Sequence, residues 1–297
     1  MTLQQLLTIA TDKAKFQSLA DYVDYGLRYL EFIKTQFQAV IVSQNEHNYR
    51  FFQYKKEGTF NVTRPINADL MLSFEEFEQQ QCVFFSILQH IREQAANTKE
   101  NRRLLNTFIY TAQQSIGATL DALPATRSNT ARKINGDLFE RFIRLVIKEV
   151  GIEVSTGTIA VPVILNGQEV FTMTYQHDLI IRVEEATKAI GSVKTSSKDR
   201  LDKIFVDKFL YNRLTETNTP HFAVFLNDVQ RKGKEGKYGI NATFLPGHFK
   251  GYTIKLNPLD GVYYCDIRAN MLTEDILKEH IKTFDHFLFE DVWKFIE

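Results

Sequence analysis

Apolar residues recur every three or four positions through FEEFEQQQCVFFSILQHIREQ, where Phe74, Phe77, Val83 or Phe84, and Ile87 or Leu88 fall on one side of a helix. The pattern predicts helix over 73–120, and over 2–45 as well. Between these blocks, NYRFFQYKKEGTFNVTRP is aromatic, basic and broken by Gly58, as a short hairpin or an exposed loop is. Pro124 and the polar run ATRSNTARK mark a junction. Asn135, Gly136 and Asp137 then open a helix through Val150 that Gly151 closes. EVSTG, AVPVIL, VFTMTYQHDLIIRV and AIGSVKT read as strands, followed by a helix over roughly 197–214 and a strand at HFAVFLN. Two or three further strands through Ile267 and two short helices complete the chain. The elements predict an α/β sheet core over 125–297, with a mainly helical region over 1–124 packed on it.

Composition adds little direction. The 297 residues are 44% hydrophobic and 24% charged, the profile of a globular protein. Lys+Arg and Asp+Glu are both 36, so net charge does not point to a partner. Locally the balance differs: residues 127–148 hold six cations against two carboxylates, and 191–234 hold nine against five. Positive charge concentrated this way suits phosphate contact. Cys82 and Cys265 lie in apolar stretches without ligand spacing, so both are expected to be reduced core residues and not zinc ligands. No run of 18 apolar residues exists and the N-terminus lacks a signal-peptide pattern, so the expectation is a cytoplasmic protein without a membrane span. Gly157, Gly167, Gly233 and Gly236 form no Walker or dinucleotide fingerprint, which disfavours a nucleotide cofactor.

The chemistry concentrates in YQHDLIIRVEEATKAIGSVKTSSKDRLDKIFVDKFLYNRL. Asp178 stands at the start of one apolar strand and Lys194 at the end of the next, so adjacent strands would bring the two side chains together. Phosphodiester hydrolysis needs acidic ligands for metal ions, and a cation near the attacking water and the scissile phosphate. In a PD-(D/E)xK arrangement a further acid precedes the lysine by two residues; here that place holds Ser192. The replacement candidate is Asp207, on the helix that follows. Asp207 lies seven residues, about two turns, beyond Arg200. The start of that helix reads Lys198, Asp199, Arg200. A guanidinium donates to guanine O6 and N7, lysine donates to the same edge, and a carboxylate accepts from cytosine N4. One acid between two cations therefore suits adjacent G·C pairs.

SVKTSSKDR followed by Asp207 resembles the EcoRII/SsoII/PspGI group of restriction endonucleases, related to NgoMIV and Cfr10I. In that group the third acid has moved to the helix after the lysine, and a short K/R-(D/E)-R or S-D-R element on this helix reads CC/GG pairs. KINGDLFERF, with Glu140, and HFAVFLNDVQRK extend the likeness, which covers about residues 130–232. The resemblance implies a PD-(D/E)xK core and Mg²⁺ held by Asp178 and Asp207, with Glu140 as an outer or second-metal ligand. Lys194 would orient the water and offset phosphate charge, and Lys198, Asp199 and Arg200 would read bases. It also implies double-stranded DNA as substrate, and a homodimer or tetramer. Position 207 departs from the group, where Glu is frequent.

Bland readings stand beside these. Acids at strand ends and on helix faces are ordinary, and ERFIR is a common helix-surface pattern. His177 reads as structural, since no Ser or Cys nucleophile motif accompanies it. The aromatic-basic residues Arg50, Phe51, Phe52, Tyr54, Lys55 and Lys56 suit either a minor-groove or base-stacking role or plain core packing. Two other functions use the same residues: a sequence-nonspecific or structure-selective repair nuclease, and a catalytically silent DNA-binding protein.

Overall fold

The computed structural model describes residues 1–297 apart from 37, 38, 57, 58, 199 and 234–236, together with the side chains of residues 56 and 59. In chain order the helices and strands are α1 (Leu3–Thr11), α2 (Leu19–Gln36), β1 (Ala39–Val42), β2 (Tyr49–Lys56), β3 (Thr59–Val62), β4 (Ile66–Asn67), α3 (Phe74–Gln89), α4 (Lys99–Leu120) and α5 (Ser128–Glu149). They continue as β5 (Val154–Leu165), β6 (Gln168–Val183), β7 (Ala186–Ser196), α6 (Leu201–Thr215), β8 (His221–Asn227), β9 (Val229–Lys232) and β10 (Gly239–Ala242). The last are α7 (Pro246–Lys255), β11 (Gly261–Tyr264), α8 (Asp275–His280) and β12 (Ile281–Thr283), before helical turns over 284–296.

Two compact units emerge, one of Met1–Val146 with Val229–Ala242, the other of Ile147–Asp228 with Thr243–Glu297. The division falls inside α5.

The first unit is built around α4, buried continuously from Leu105 to Leu120. Local sequence sets the helix starts: Ser73 and Glu76 form a reciprocal capping box on α3, and Thr98 caps α4. Gly117 leaves room for the guanidinium of Arg64, which pairs with both oxygens of Asp121 at 2.9 Å. Helix is not continuous over 2–45, because Ala39–Val42 forms β1 against β2. A short apolar run after a helix carries no periodicity that tells the two apart. Of the hairpin or exposed loop expected over 48–65, strands β2 and β3 form the antiparallel pair of a hairpin. Phe51 and Tyr54 serve the core: Phe51 packs with Tyr49, Val229 and Ile240, and the Tyr54 hydroxyl donates to the Ala118 carbonyl at 2.6 Å. Cys82 is exposed, contrary to expectation, because the buried stripe of α3 runs through Phe77, Phe84, Ile87 and Leu88 on another side. Cys265 is buried, and neither cysteine is in a disulfide.

In the second unit a six-stranded mixed sheet has the order β12-β11-β8-β7-β6-β5. The strands β5, β6 and β7 pair antiparallel, while β7, β8, β11 and β12 run parallel. HFAVFLN is buried at every position, as a central parallel strand requires. Gly191 is required where it stands: a Cβ there would collide with the Phe222 ring of β8. Asn166 and Gly167, both at positive φ, make the two-residue turn between β5 and β6. The β6–β7 turn reaches the same kind of backbone with Glu184 (φ 47°) and Glu185 (φ 67°), residues that pay for a left-handed conformation. Replacing the pair with Asn-Gly is expected to raise the unfolding free energy by about 1 kcal/mol, a shift that urea unfolding would register.

Candidate active site

Strand β6 is not regular where it matters. Its pairing with β5 shifts between Ser155↔Ile180 and Gly157↔His177, so Asp178 and Leu179 together oppose Thr156. Two residues against one is a β-bulge, which redirects side chains and is common beside active sites. On its other edge β6 pairs with β7 from Val183↔Ala186 to Leu179↔Gly191 and no further. Asp178 is the next residue, and its carboxylate takes over from the ladder: Oδ2 accepts the Val193 N–H at 2.8 Å. The Lys194 ammonium donates to the same oxygen. Thus the two residues expected to meet are in direct contact, with side chains 16% (Asp178) and 30% (Lys194) exposed. Ser192, half-buried on β7, occupies the place of the absent acid.

Asp207 lies on α6 and is paired with Lys203 one turn earlier. Asp207 and Asp178 both act electrostatically on His177, each favouring its charged form. Burial nevertheless holds His177 below its ordinary pKa, with Lys203 adding to the depression. The structural reading of His177 is met: it is 7% exposed, stacked on Tyr175 and edge-on to Tyr211 and His221. The Nε2 atoms of His177 and His221 have no hydrogen-bond partner among the described residues.

His221, 2% exposed, has its pKa lowered to about 4, chiefly by burial. A histidine with a depressed folded pKa contributes fully above its unfolded value and loses that contribution as pH falls toward the folded one. Unfolding free energy is therefore expected to drop by roughly 3 kcal/mol between about pH 6.5 and pH 4 from this residue. His221→Leu should flatten that slope in unfolding curves recorded across the range.

The recognition element departs from its expected setting. Helix α6 begins at Leu201, not near 197, and Arg200 is its N-terminal flanking residue with non-helical φ −122° and ψ −33°. Lys198 is an exposed turn residue and Arg200 is exposed. Asp199 lies outside the described residues. Glu140 is a half-buried residue of α5 in the first unit, where its charge acts on Arg144. That helix begins at Ser128, seven residues before the expected start.

Among the described residues, no three His, Cys, Asp or Glu side chains converge as a ready-made metal cage. The donors that are close suit a hard cation in kind: carboxylate oxygens, with Asp178 Oδ1 accepting no hydrogen bond from a described residue. No described helix is long and apolar enough to cross a membrane.

These features define a restriction-endonuclease-like fold, with a mixed central sheet flanked by helices. The solved structure of the type IIP restriction endonuclease Kpn2I is similar to this chain with a TM-score of 0.74 and 19% identity, over 99% of this chain and 97% of that one. A complex of restriction endonuclease PspGI with substrate DNA aligns at a TM-score of 0.44 and 12% identity, over 74% of this chain and 88% of that one. No protein-family model matches the chain, and no curated protein does.

Proposed function

We propose that the chain is a type II restriction endonuclease, cutting double-stranded DNA with Mg²⁺ at a palindrome with a CC/GG core of the CCNGG, CCGG or CCWGG type. The observation that carries this reading is the contact between Asp178 and Lys194 at the bulge where β6 and β7 part. Paired acid and lysine at such a break can serve a phosphodiester, whereas a solvated strand-end acid would not need its neighbour's ammonium. Asp178 and Asp207 are the residues that would hold Mg²⁺, and the family resemblance adds Glu140 as an outer or second-metal ligand. Bound there, the ion would supply Lewis-acid stabilisation and lower the pKa of its water.

Lys194 has two tasks in this account. Its ammonium orients the Asp178 carboxylate, and it offsets the charge that builds on the phosphate oxygens. Lys198 and Arg200, both exposed, lie outside the strands and are suited to base edges, with Asp199 between them in sequence. A two-fold site needs a two-fold protein, so the functional assembly is a homodimer, or a tetramer of paired dimers. A nucleotide cofactor has no role. Incubating purified protein with duplex DNA in Mg²⁺ or in EDTA tests the reading. Cutting with Mg²⁺ and none with EDTA is expected; equal cutting in both would refute the metal dependence.

A further inference from the structure

The chain leaves the second unit after Asp228 and re-enters it at Thr243, the residues between belonging to the first. The two ends of this excursion are clasped together. Thr243 donates both its N–H, at 2.6 Å, and its hydroxyl, at 2.7 Å, to the Asp228 carbonyl. Asp228 is itself buried, with its carboxylate 3.3 Å from the Arg268 guanidinium. The same Thr243 hydroxyl lies 3.1 Å from Ser197 Oγ and 3.4 Å from Ser196 Oγ. Its single proton is committed to Asp228, so the serines must be the donors. Ser196 Oγ then accepts the Lys198 N–H at 3.3 Å, and the Ser197 carbonyl accepts the Arg200 N–H at 3.2 Å. Ser197 is 3% exposed, its hydroxyl also beside that of buried Tyr264, so the bond lost with the Thr243 hydroxyl is not made good by water.

We infer that Thr243 is a positioning residue for site discrimination: it fixes the turn that aims Lys198 and Arg200. This rests on the proposed reading of DNA by those two residues. Its side chain touches neither Asp178 nor Lys194 in any hydrogen bond between described residues, so its effect should fall on selectivity and not on the chemical step. The test compares cleavage of the cognate site with cleavage of a site altered at one G·C pair, in Thr243→Val, Thr243→Ser and Arg200→Ala, with a melting curve for each. Thr243→Val keeps the branched shape and the main-chain bond to Asp228 but removes the hydroxyl. The cognate-to-altered ratio is expected to fall about fivefold in Thr243→Val, the size of one lost hydrogen bond, and to be restored in Thr243→Ser. A purely structural role would lower the melting temperature and both rates together, leaving the ratio intact; that result overturns the inference. If Thr243→Val keeps the parent ratio while Arg200→Ala loses it, the positioning role fails and the reading of DNA by Arg200 survives. If Arg200→Ala keeps the ratio, the underlying reading fails as well.

Discussion

Lys194→Ala is expected to reduce DNA cleavage by about 10³-fold while leaving specific binding within a few-fold of the parent. The ammonium meets Asp178 at the place where strands β6 and β7 separate, and nothing else on β7 supplies a cation there. Removing it takes away charge stabilisation that grows as the phosphate becomes pentacoordinate, a loss felt in kcat more than in affinity. Asp178 keeps its bond from the Val193 N–H in the variant, so the bulge should persist. Single-turnover cleavage paired with a gel-shift assay in Ca²⁺ would separate the two effects. Parent-like cutting by the variant would remove Lys194 from the chemistry.

Arg200→Ala should act on the other side of the mechanism. A bidentate guanidinium–guanine contact contributes about 1–3 kcal/mol of discrimination, so the preference for the cognate site over a single G·C substitution should fall by roughly 5- to 150-fold. The side chain is exposed and lies at the entrance to α6, where alanine costs little in folding. Global stability should stay within about 0.5 kcal/mol of the parent. Cleavage rates on a panel of one-base variants of the site, read beside a melting curve, distinguish lost reading from lost folding. Selectivity equal to the parent's would assign base recognition elsewhere.

Much of this arrangement was legible in the residues. Alternation and apolar runs around Asp178 and Lys194 implied two neighbouring strands, and those strands are β6 and β7, paired antiparallel. HFAVFLN announced a buried central strand through its unbroken apolar run. Other features depended on contacts distant in sequence. The bulge at Asp178–Leu179 arises from pairing with Thr156, and no residue type in HDLII signals it. The turn at Glu184–Glu185 lacks the Asn-Gly or Asp-Gly signature that marks such hairpins. α6 starts later than its sequence suggests: SSKDR has acceptable helix-forming character, but Ser196 ends β7 and Thr243, more than forty residues downstream, bonds to Ser196 and Ser197 ahead of the helix. The early start of α5 was hidden by the polar run SNTARK, although Ala131, Ile134 and Asn135 fall at helical spacing and are buried.

The central claim is that this chain cuts duplex DNA at one defined palindrome, and end mapping tests it most directly. Purified protein would be incubated with phage DNA and Mg²⁺, and the ends of every fragment sequenced. Discrete fragments whose ends share a CC…GG palindrome are the predicted result, and they would supply the full site and the cut position together. Ends scattered without a common sequence would contradict the claim and favour a nonspecific or structure-selective nuclease, and uncut but retarded DNA would leave a binding protein without catalysis.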